Sequence, residues 1–322
     1  MMDYFRPIPS EQGRWQLAGG WVRFDRLEHL RRGKAPVIVD HAPDAVMAAL
    51  TTPRAPVLGL SMDRPRLMGI VNATPDSFSD GGRYDPATQA RRLLADGADV
   101  LDIGGESTRP GAAEVPADDE IARITPAITA LRDAPVSVDT RKASVAQAAI
   151  RAGAGMVNDV SGFDFDPDMA ATVAAAGVPV CLMHAQGIPA TMQDNPHYDD
   201  VLLDVYDALS ARVARAVAAG IPRDRIVIDP GIGFGKTQAH NIAILRRLSL
   251  FHALGCSILL GVSRKRFIGA IGEADEPGDR VPGTLAVTLA AVAQGVHIHR
   301  VHDIIDHSQA LKLWAALHIV ET

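Results

Sequence analysis

Between Leu67 and Val301 the chain repeats one pattern eight times: a short apolar run, then a longer stretch of helical periodicity. The runs are Leu67 to Val71, Val100 to Ile103, Val136 to Val138, Met156 to Val160, Val178 to Met183, Ile226 to Ile228, Ser257 to Val262 and His297 to Val301. Helical patterns fill the intervals at Pro86 to Ala95, Asp118 to Leu131, Ser144 to Ala152, Met169 to Ala176, Val201 to Ala218, Ala239 to Leu248 and Thr284 to Gln294, and Asp303 to His318 closes the set. In Val201 to Ala218, Leu202, Val205, Leu209 and Val213 form one stripe, with Asp204, Asp207 and Arg215 elsewhere on the wheel. Runs that are apolar throughout belong to strands covered on both faces, the condition of a parallel sheet. Eight strand and helix pairs over ~255 residues therefore predict an α/β fold of the (β/α)8 TIM barrel type; an open doubly wound sheet is the alternative.

Residues 1–62 lack this rhythm. Trp15, Trp21 and Phe24 sit among Arg and Gly, Pro36 to Val39 suggests a strand, and Asp44 to Leu50 suggests a short helix. The expected organisation is a short N-terminal α/β extension, residues 1–62, packed on a barrel domain of residues 63–322. A chain of 322 residues with 47% hydrophobic content can bury a sizeable core. Its net charge of -6 argues against a general nucleic-acid binder, so an anionic ligand must be met by local Lys and Arg. Cys181 and Cys256 lie in apolar runs and read as buried thiols in a reducing compartment. Met1 to Arg14 carries no secretory h-region, and the longest mostly apolar stretch, Thr284 to Val296, is too short to span a bilayer. The expectation is a cytoplasmic protein with neither membrane nor nucleic-acid partner.

In a barrel of this kind the functional groups lie on loops after the carboxyl ends of the strands. Polar residues gather at that end: Asn72, Thr108, Arg109, Asp139, Asn158, Asp229, Lys265, Arg300 and His302. After the sixth run the chain reads Asp229-Pro230-Gly231-Ile232-Gly233-Phe234-Gly235-Lys236-Thr237. Gly231 and Gly235 enclose three residues where a P-loop needs four, and a dinucleotide fingerprint would need Gly where Lys236 stands. The segment reads instead as a ligand-contacting loop whose glycines permit close approach, with a tight structural turn as the plainer alternative.

Asp139, Asn158 and Asp229 supply acceptors suited to a flat heterocycle with adjacent N–H and amino donors, because a carboxylate accepts two parallel hydrogen bonds. Lys265 adds a donor, and the planar guanidinium of Arg300 can stack on a ring while its edge reaches an anion. Asn72 offers a neutral oxygen to a divalent cation already bridging a phosphorylated substrate, with Thr108, Arg300 and His302 as phosphate donors. Strand parity puts Arg300 and His302 on one face and His297 and His299 on the other, which makes this histidine run a poor zinc cluster. The loops at Asn72 to Gly82 and Gly104 to Ala112, rich in Gly, Pro and Ser, are expected to act as lids over a second substrate.

Five segments resemble the motifs of the dihydropteroate synthase family, in family order and across residues 67–303. They are Met68 to Gly82 (MGIVNATPDSFSDGG), Asp102 to Gly111 (DIGGESTRPG), Ser137 to Thr140 (SVDT), Asp229 to Lys236 (DPGIGFGK) and Ser263 to Gly269 (SRKRFIG). The resemblance implies a transferase of folate biosynthesis. It would condense 6-hydroxymethyl-7,8-dihydropterin diphosphate with 4-aminobenzoate, using Mg²⁺, in a homodimer, and be a sulfonamide target. Carried over by motif, Asp139, Asn158, Val160, Met183, Asp229, Gly261, Lys265 and Arg300 hold the pterin. Asn72, Thr108, Arg300 and His302 surround the diphosphate, with Asn72 on the metal. Phe78, Arg109, Pro110, Phe234, Lys265 and Arg266 frame the aminobenzoate, although family members differ at position 266 between Ser and Arg. Asp139, Asp229, Lys265, Arg300 and His302 are the catalytic set that the resemblance implies, and nothing transfers to residues 1–62. A catalytically silent pterin-binding paralogue and a pterin-dependent corrinoid methyltransferase are the competing readings.

Overall fold

The computed structural model describes residues 3–73, 85–107, 114–187 and 192–318. Eight parallel strands close into a barrel in chain order: β5 (Arg66–Asn72), β6 (Val100–Gly104), β7 (Val136–Asp139), β8 (Met156–Asp159), β9 (Val180–Met183), β10 (Ile226–Asp229), β11 (Ser257–Leu260) and β12 (Ile298–Val301). Around it lie α2 (Pro86–Ala95), α3 (Ala117–Thr129), α4 (Ala143–Ala152), α5 (Met169–Ala176), α6 (Val201–Ala218), α7 (Gln238–Leu245), α8 (Arg266–Gly272), α9 (Val281–Val292) and α10 (Ile304–His318). The open doubly wound sheet is thereby excluded, because β12 pairs with β5 from Ile298↔Arg66 to Val301↔Gly69.

The expected strand limits shift where side chains capture backbone. β8 stops at Asp159, before Val160, because the Asp159 carboxylate accepts from Ser161 N (2.8 Å) and Phe163 N (2.8 Å) and turns the chain. α6 begins where the Asp200 carboxylate accepts from Leu202 N and Leu203 N.

Strand alternation sorts the barrel side chains into two sets. Leu101, Val138, Val157, Leu182, Ile228, Leu260 and Val301 face outward into the main core, together with Val205, Leu209 and Val213 of the α6 stripe. Met68, Val100, Met156, Cys181, Val227, Leu259 and Ile298 face inward and pack against Val57 and Met62, with Leu58 and Leu60 beside them. The segment leading into β5 thus closes the amino end of the barrel. Both cysteines are buried free thiols.

Ahead of that segment stands an antiparallel sheet of β1 (Tyr4–Ser10), β2 (Trp15–Gln16), β3 (Arg23–Leu30) and β4 (Val37–Val39), followed by α1 (Asp44–Thr51). β4 and α1 lie where the sequence suggests them, whereas β1 to β3 escape a sequence reading. Pro7 and Pro9 interrupt β1, which β3 tolerates through an irregular register between Ile8 and Pro9, and β3 itself is rich in charge. The layer has its own core of Phe5, Leu17, Val22, Phe24, Leu27, Met47 and Leu50. Arg32 fastens it to α6 at Asp204 (2.5 Å) and Asp207 (2.7 Å), and Trp21 Nε1 donates to Val292 O (2.8 Å).

Three histidines, His252, His297 and His299, are fully buried. His297 Nδ1 accepts from Ile258 N (3.1 Å), while His252 and His299 reach the carbonyls of Gln294 (3.0 Å) and Val296 (3.1 Å). Burial pushes His252 and His299 down to about 3, and burial also moves His297 down, helped by the nearby His252 and the charge of Arg54. A histidine whose folded pKa is depressed contributes stability that is complete above its ordinary value and is lost as pH falls toward the folded one. The cost is about 2 kcal/mol for each such group at pH 5. Asp139, raised to about 7 by burial, works in the opposite sense, so the net slope is shallower than the histidine sum. Urea unfolding is expected to show lower stability at pH 5 than at pH 7.5; equal or higher stability at pH 5 would contradict this account.

Candidate active site

Two positions beyond the apolar floor of most strands, the same inward parity delivers a largely polar tier. Asp102 follows Val100, Asn158 follows Met156, Met183 follows Cys181, Asp229 follows Val227, Gly261 follows Leu259, Arg300 follows Ile298, and Asp139 ends β7. The register sets Asp139 beside Asn158 on one side and beside Gly104 on the other. The barrel therefore changes from hydrocarbon to charge within one turn of the alternation, at its carboxyl end.

Arg300 organises that tier. Its Nε donates to Asp102 Oδ2 (2.6 Å) and an Nη to Asp139 Oδ2 (2.7 Å), while Asn158 Nδ2 donates to the same Asp102 oxygen (2.9 Å). With its amide nitrogen committed to Asp102, Asn158 has its carbonyl oxygen left for a ligand. Burial works against the charge on Arg300, but the two carboxylates outweigh it and hold the guanidinium protonated beyond the ordinary arginine range. Asp139 is raised to about 7 by burial, which the charge of Arg300 opposes and that of Asp102 reinforces. Asp139 Oδ1 is buried and has no hydrogen-bond partner among the described residues.

Across the mouth, Asp229 ends β10 and its Oδ1 accepts from Gly231 N (2.7 Å). Burial raises its pKa, opposed first by the charge of Lys265, while burial lowers Lys265 to about 8 against the pull of Asp229. Lys265, the residue before α8, donates to Ile232 O and places its ammonium 4.7 Å from the centroid of the Phe234 ring. Gly261 lies between Asp229 and Arg300, where a Cβ would make ordinary contacts at 3.9 Å with Asp229 Oδ2 and Arg300 Cβ.

The glycines of the segment after β10 have a purpose different from the one expected. Gly231 and Gly235 have φ of 68° and 61°, and a Cβ there would lie 1.8 Å from His184 O and 2.4 Å from Gln186 O. They allow two stretches of the chain's own backbone to meet, so the plainer alternative of a structural turn is part of the truth. Gly233 alone of the three turns toward Lys265.

His302 lies just past β12, where Ser263 Oγ meets its Nδ1 (2.8 Å) and accepts from its backbone N (3.1 Å). Asn72 ends β5 at the exposed rim, Met183 is buried at the end of β9, and Val160 lies one residue past β8. Arg266 opens α8 with an exposed side chain. Phe78, Thr108, Arg109 and Pro110, and with them most of both expected lids, lie outside the described residues. Arg300 and His302 face the mouth while His297 and His299 are buried on the opposite parity. Among the described residues no three His, Cys, Asp or Glu side chains converge as a metal cage.

Three participants escaped the sequence reading. Asp102 was passed over inside an apolar run, although its parity with Val100 is a signal that places it in the tier. Lys236, set aside as a failed P-loop lysine, is buried against His184 Nδ1 at 2.8 Å. Glu106 accepts from Val115 N (2.8 Å) and pairs with Arg141 (3.0 Å) and Lys142 (3.1 Å), tying together the chain on either side of residues 108–113.

Comparison with known proteins agrees with this geometry. A sequence model described as "Pterin binding enzyme" matches residues 68–302. The dihydropteroate synthase of Neisseria meningitidis serogroup B is 45% identical over 271 residues, covering 81% of this chain and 95% of that protein. A probable bifunctional folylpolyglutamate synthase/dihydropteroate synthase of Haloferax volcanii is 47% identical over 257 residues, 78% of this chain; the chain spans 30% of that longer protein. The solved structure of Xanthomonas albilineans dihydropteroate synthase with 4-aminobenzoic acid superposes with a TM-score of 0.78 at 46% identity, covering 84% of this chain and 99% of that one. With its closed barrel, its carboxylates and lysine at the mouth, and the Neisseria and Xanthomonas enzymes matched over nearly their whole length, the chain belongs to the dihydropteroate synthase family of pterin binding enzymes.

Proposed function

We propose that the chain condenses 6-hydroxymethyl-7,8-dihydropterin diphosphate with 4-aminobenzoate, giving 7,8-dihydropteroate and diphosphate in tetrahydrofolate biosynthesis. The observation that carries the assignment of roles is the unpartnered, buried Asp139 Oδ1 beside Arg300, with Asp229 across the same mouth. Such oxygens call for N–H donors, and a pterin edge supplies them in pairs. In this reading Asp139, Asn158 and Asp229 take the donor edge, Lys265 faces the ring's acceptor side, and Met183, Val160 and Gly261 line the ring.

As the bond between methylene carbon and oxygen breaks, its electron pair leaves on diphosphate and positive charge spreads into the ring. Asp139 and Asp229 stabilise that charge from fixed positions in a site of low dielectric. The amine lone pair of 4-aminobenzoate then forms the new C–N bond, and its proton passes to solvent. Phe234, beneath the Lys265 ammonium, offers the aminobenzoate an apolar surface next to a cation, where sulfonamides would compete. Arg300 and His302 are the described donors on the diphosphate side, joined in this reading by Thr108.

The residues present fit a magnesium ion carried by the diphosphate. Asn72 would contribute one neutral oxygen at the rim, which suits a hard divalent cation brought in by the diphosphate, and no protein cage competes for it among the described residues. When bound, the ion neutralises the departing diphosphate. Residence in the cytoplasm and a homodimer through the late helices belong to the same proposal; Ile305, Leu313 and Leu317 on α10 expose apolar side chains that a second copy would cover.

Mixing the protein with both substrates and Mg²⁺ should give a dihydropteroate mass, and EDTA should suppress it. No product from folded protein that binds the pterin would favour the silent paralogue. Methyl transfer to a corrinoid acceptor would favour the methyltransferase.

A further inference from the structure

We infer that Lys236 is a positioning residue of this reaction: its buried ammonium fixes the backbone from Gly231 to Gly235, which carries Phe234 and ends against Asp229. The inference rests on the function proposed above. Five consecutive carbonyls in this stretch accept side-chain donors. Gly231 O (2.9 Å) and Phe234 O (3.0 Å) take Lys236 Nζ, Ile232 O takes Lys265, Gly233 O takes Gln193 Nε2 (2.6 Å), and Gly235 O takes the Tyr198 hydroxyl (2.7 Å). Lys236 thus holds two of the five, and it also reaches His184 Nδ1 (2.8 Å) and His184 O (3.3 Å) in the segment after β9.

Burial pulls Lys236 well below the ordinary lysine range, opposed by the charge of Asp229. In its ammonium form it has donors and no acceptor, so His184 Nδ1 then accepts and the imidazole is neutral with its proton on Nε2. Burial and the charge of Lys236 agree, pushing His184 down to about 2. Among the described residues no carboxylate lies within ion-pair distance of Lys236, which is 3% exposed. A lysine buried without a carboxylate is costly unless its donors are taken up, and here three carbonyl oxygens and an imidazole nitrogen take them. The glycines at 231, 233 and 235, all at positive φ, supply no side chains to hold the segment in place. Ile232 anchors the middle of the turn in the main core, and Lys236 joins the two ends of the turn to the neighbouring segment. Its charge also acts on Asp229, lowering that pKa against burial.

Two roles, geometric and electrostatic, can be separated. Lys236→Met removes both, and is expected to raise KM for 4-aminobenzoate at least tenfold and to move the acidic limb of kcat/KM to higher pH. Lys236→Arg keeps the charge, but a planar fork cannot meet divergent acceptors. It should restore the acidic limb and leave KM for 4-aminobenzoate raised at least fivefold. Wild-type protein assayed alongside shows whether the reaction itself occurs, so failure of the proposed function is recognised separately. A folded Lys236→Met with wild-type KM and pH profile would overturn the inference. If that variant does not fold, a Lys236→Arg protein with unchanged KM would overturn it equally.

Discussion

Asp229→Asn is expected to fold with unchanged or slightly higher melting temperature and to lose at least a hundredfold in turnover. The substitution keeps the shape and an oxygen for Gly231 N, which now donates at 2.7 Å. It removes a charge that burial already disfavours, as the raised pKa shows, so the fold is relieved of an unfavourable group. Catalysis has no such relief. Removing one preorganised electrostatic group from a closed site typically costs about 3 to 4 kcal/mol in the transition state, two to three powers of ten in rate. Lys265, deprived of its nearest opposing charge, adds to the loss. Activity within tenfold of wild type, measured as dihydropteroate formed under saturating substrates, would remove Asp229 from the mechanism.

Arg300→Met is expected to be both inactive and markedly less stable. The guanidinium is shared by Asp102, which is fully buried, and Asp139, at 2.6 and 2.7 Å, and methionine leaves two neighbouring carboxylates without a cation. Breaking a buried pair by removing one partner costs about 3 to 5 kcal/mol. The loss should shrink as pH falls. Asp139 already sits at about 7 with Arg300 present, and without it the group takes up a proton at higher pH still. A raised carboxyl pKa contributes stability at low pH that is lost as pH rises, so the variant should recover between pH 8 and pH 5. Adding Asp102→Asn should recover part of the stability at neutral pH, a coupling that a double-mutant cycle in urea reads directly. A variant as stable as wild type at pH 8 would show that Arg300 does not neutralise this pair.

The barrel was legible because strands buried on both faces cannot hide their apolar runs, and because eight of them leave few ways to close. Asp139, Asn158, Asp229, Lys265, Arg300 and His302 were legible for a related reason: polar residues at the carboxyl ends of such runs have little structural excuse. Asp102 was missed because it sits one step inside a run, where Val100, Leu101 and Ile103 mask it. The value of Lys236 depends on carbonyls that no side-chain pattern displays. The N-terminal sheet stayed hidden because Pro7, Pro9 and the charges of β3 contradict ordinary strand preferences, and only pairing with distant partners stabilises it.

The segment 57–62 places Val57, Leu58, Leu60 and Met62 against inward-facing residues of seven barrel strands. It acts as a stopper in a greasy well. Water that could otherwise climb the bore from below is shut out, and the charged groups above Val100, Val227 and Ile298, namely Asp102, Asp229 and Arg300, see solvent from one direction alone. The one-sided opening gives the mouth its polarity of access: both substrates must enter, and both products leave, by the rim where Asn72 and His302 stand.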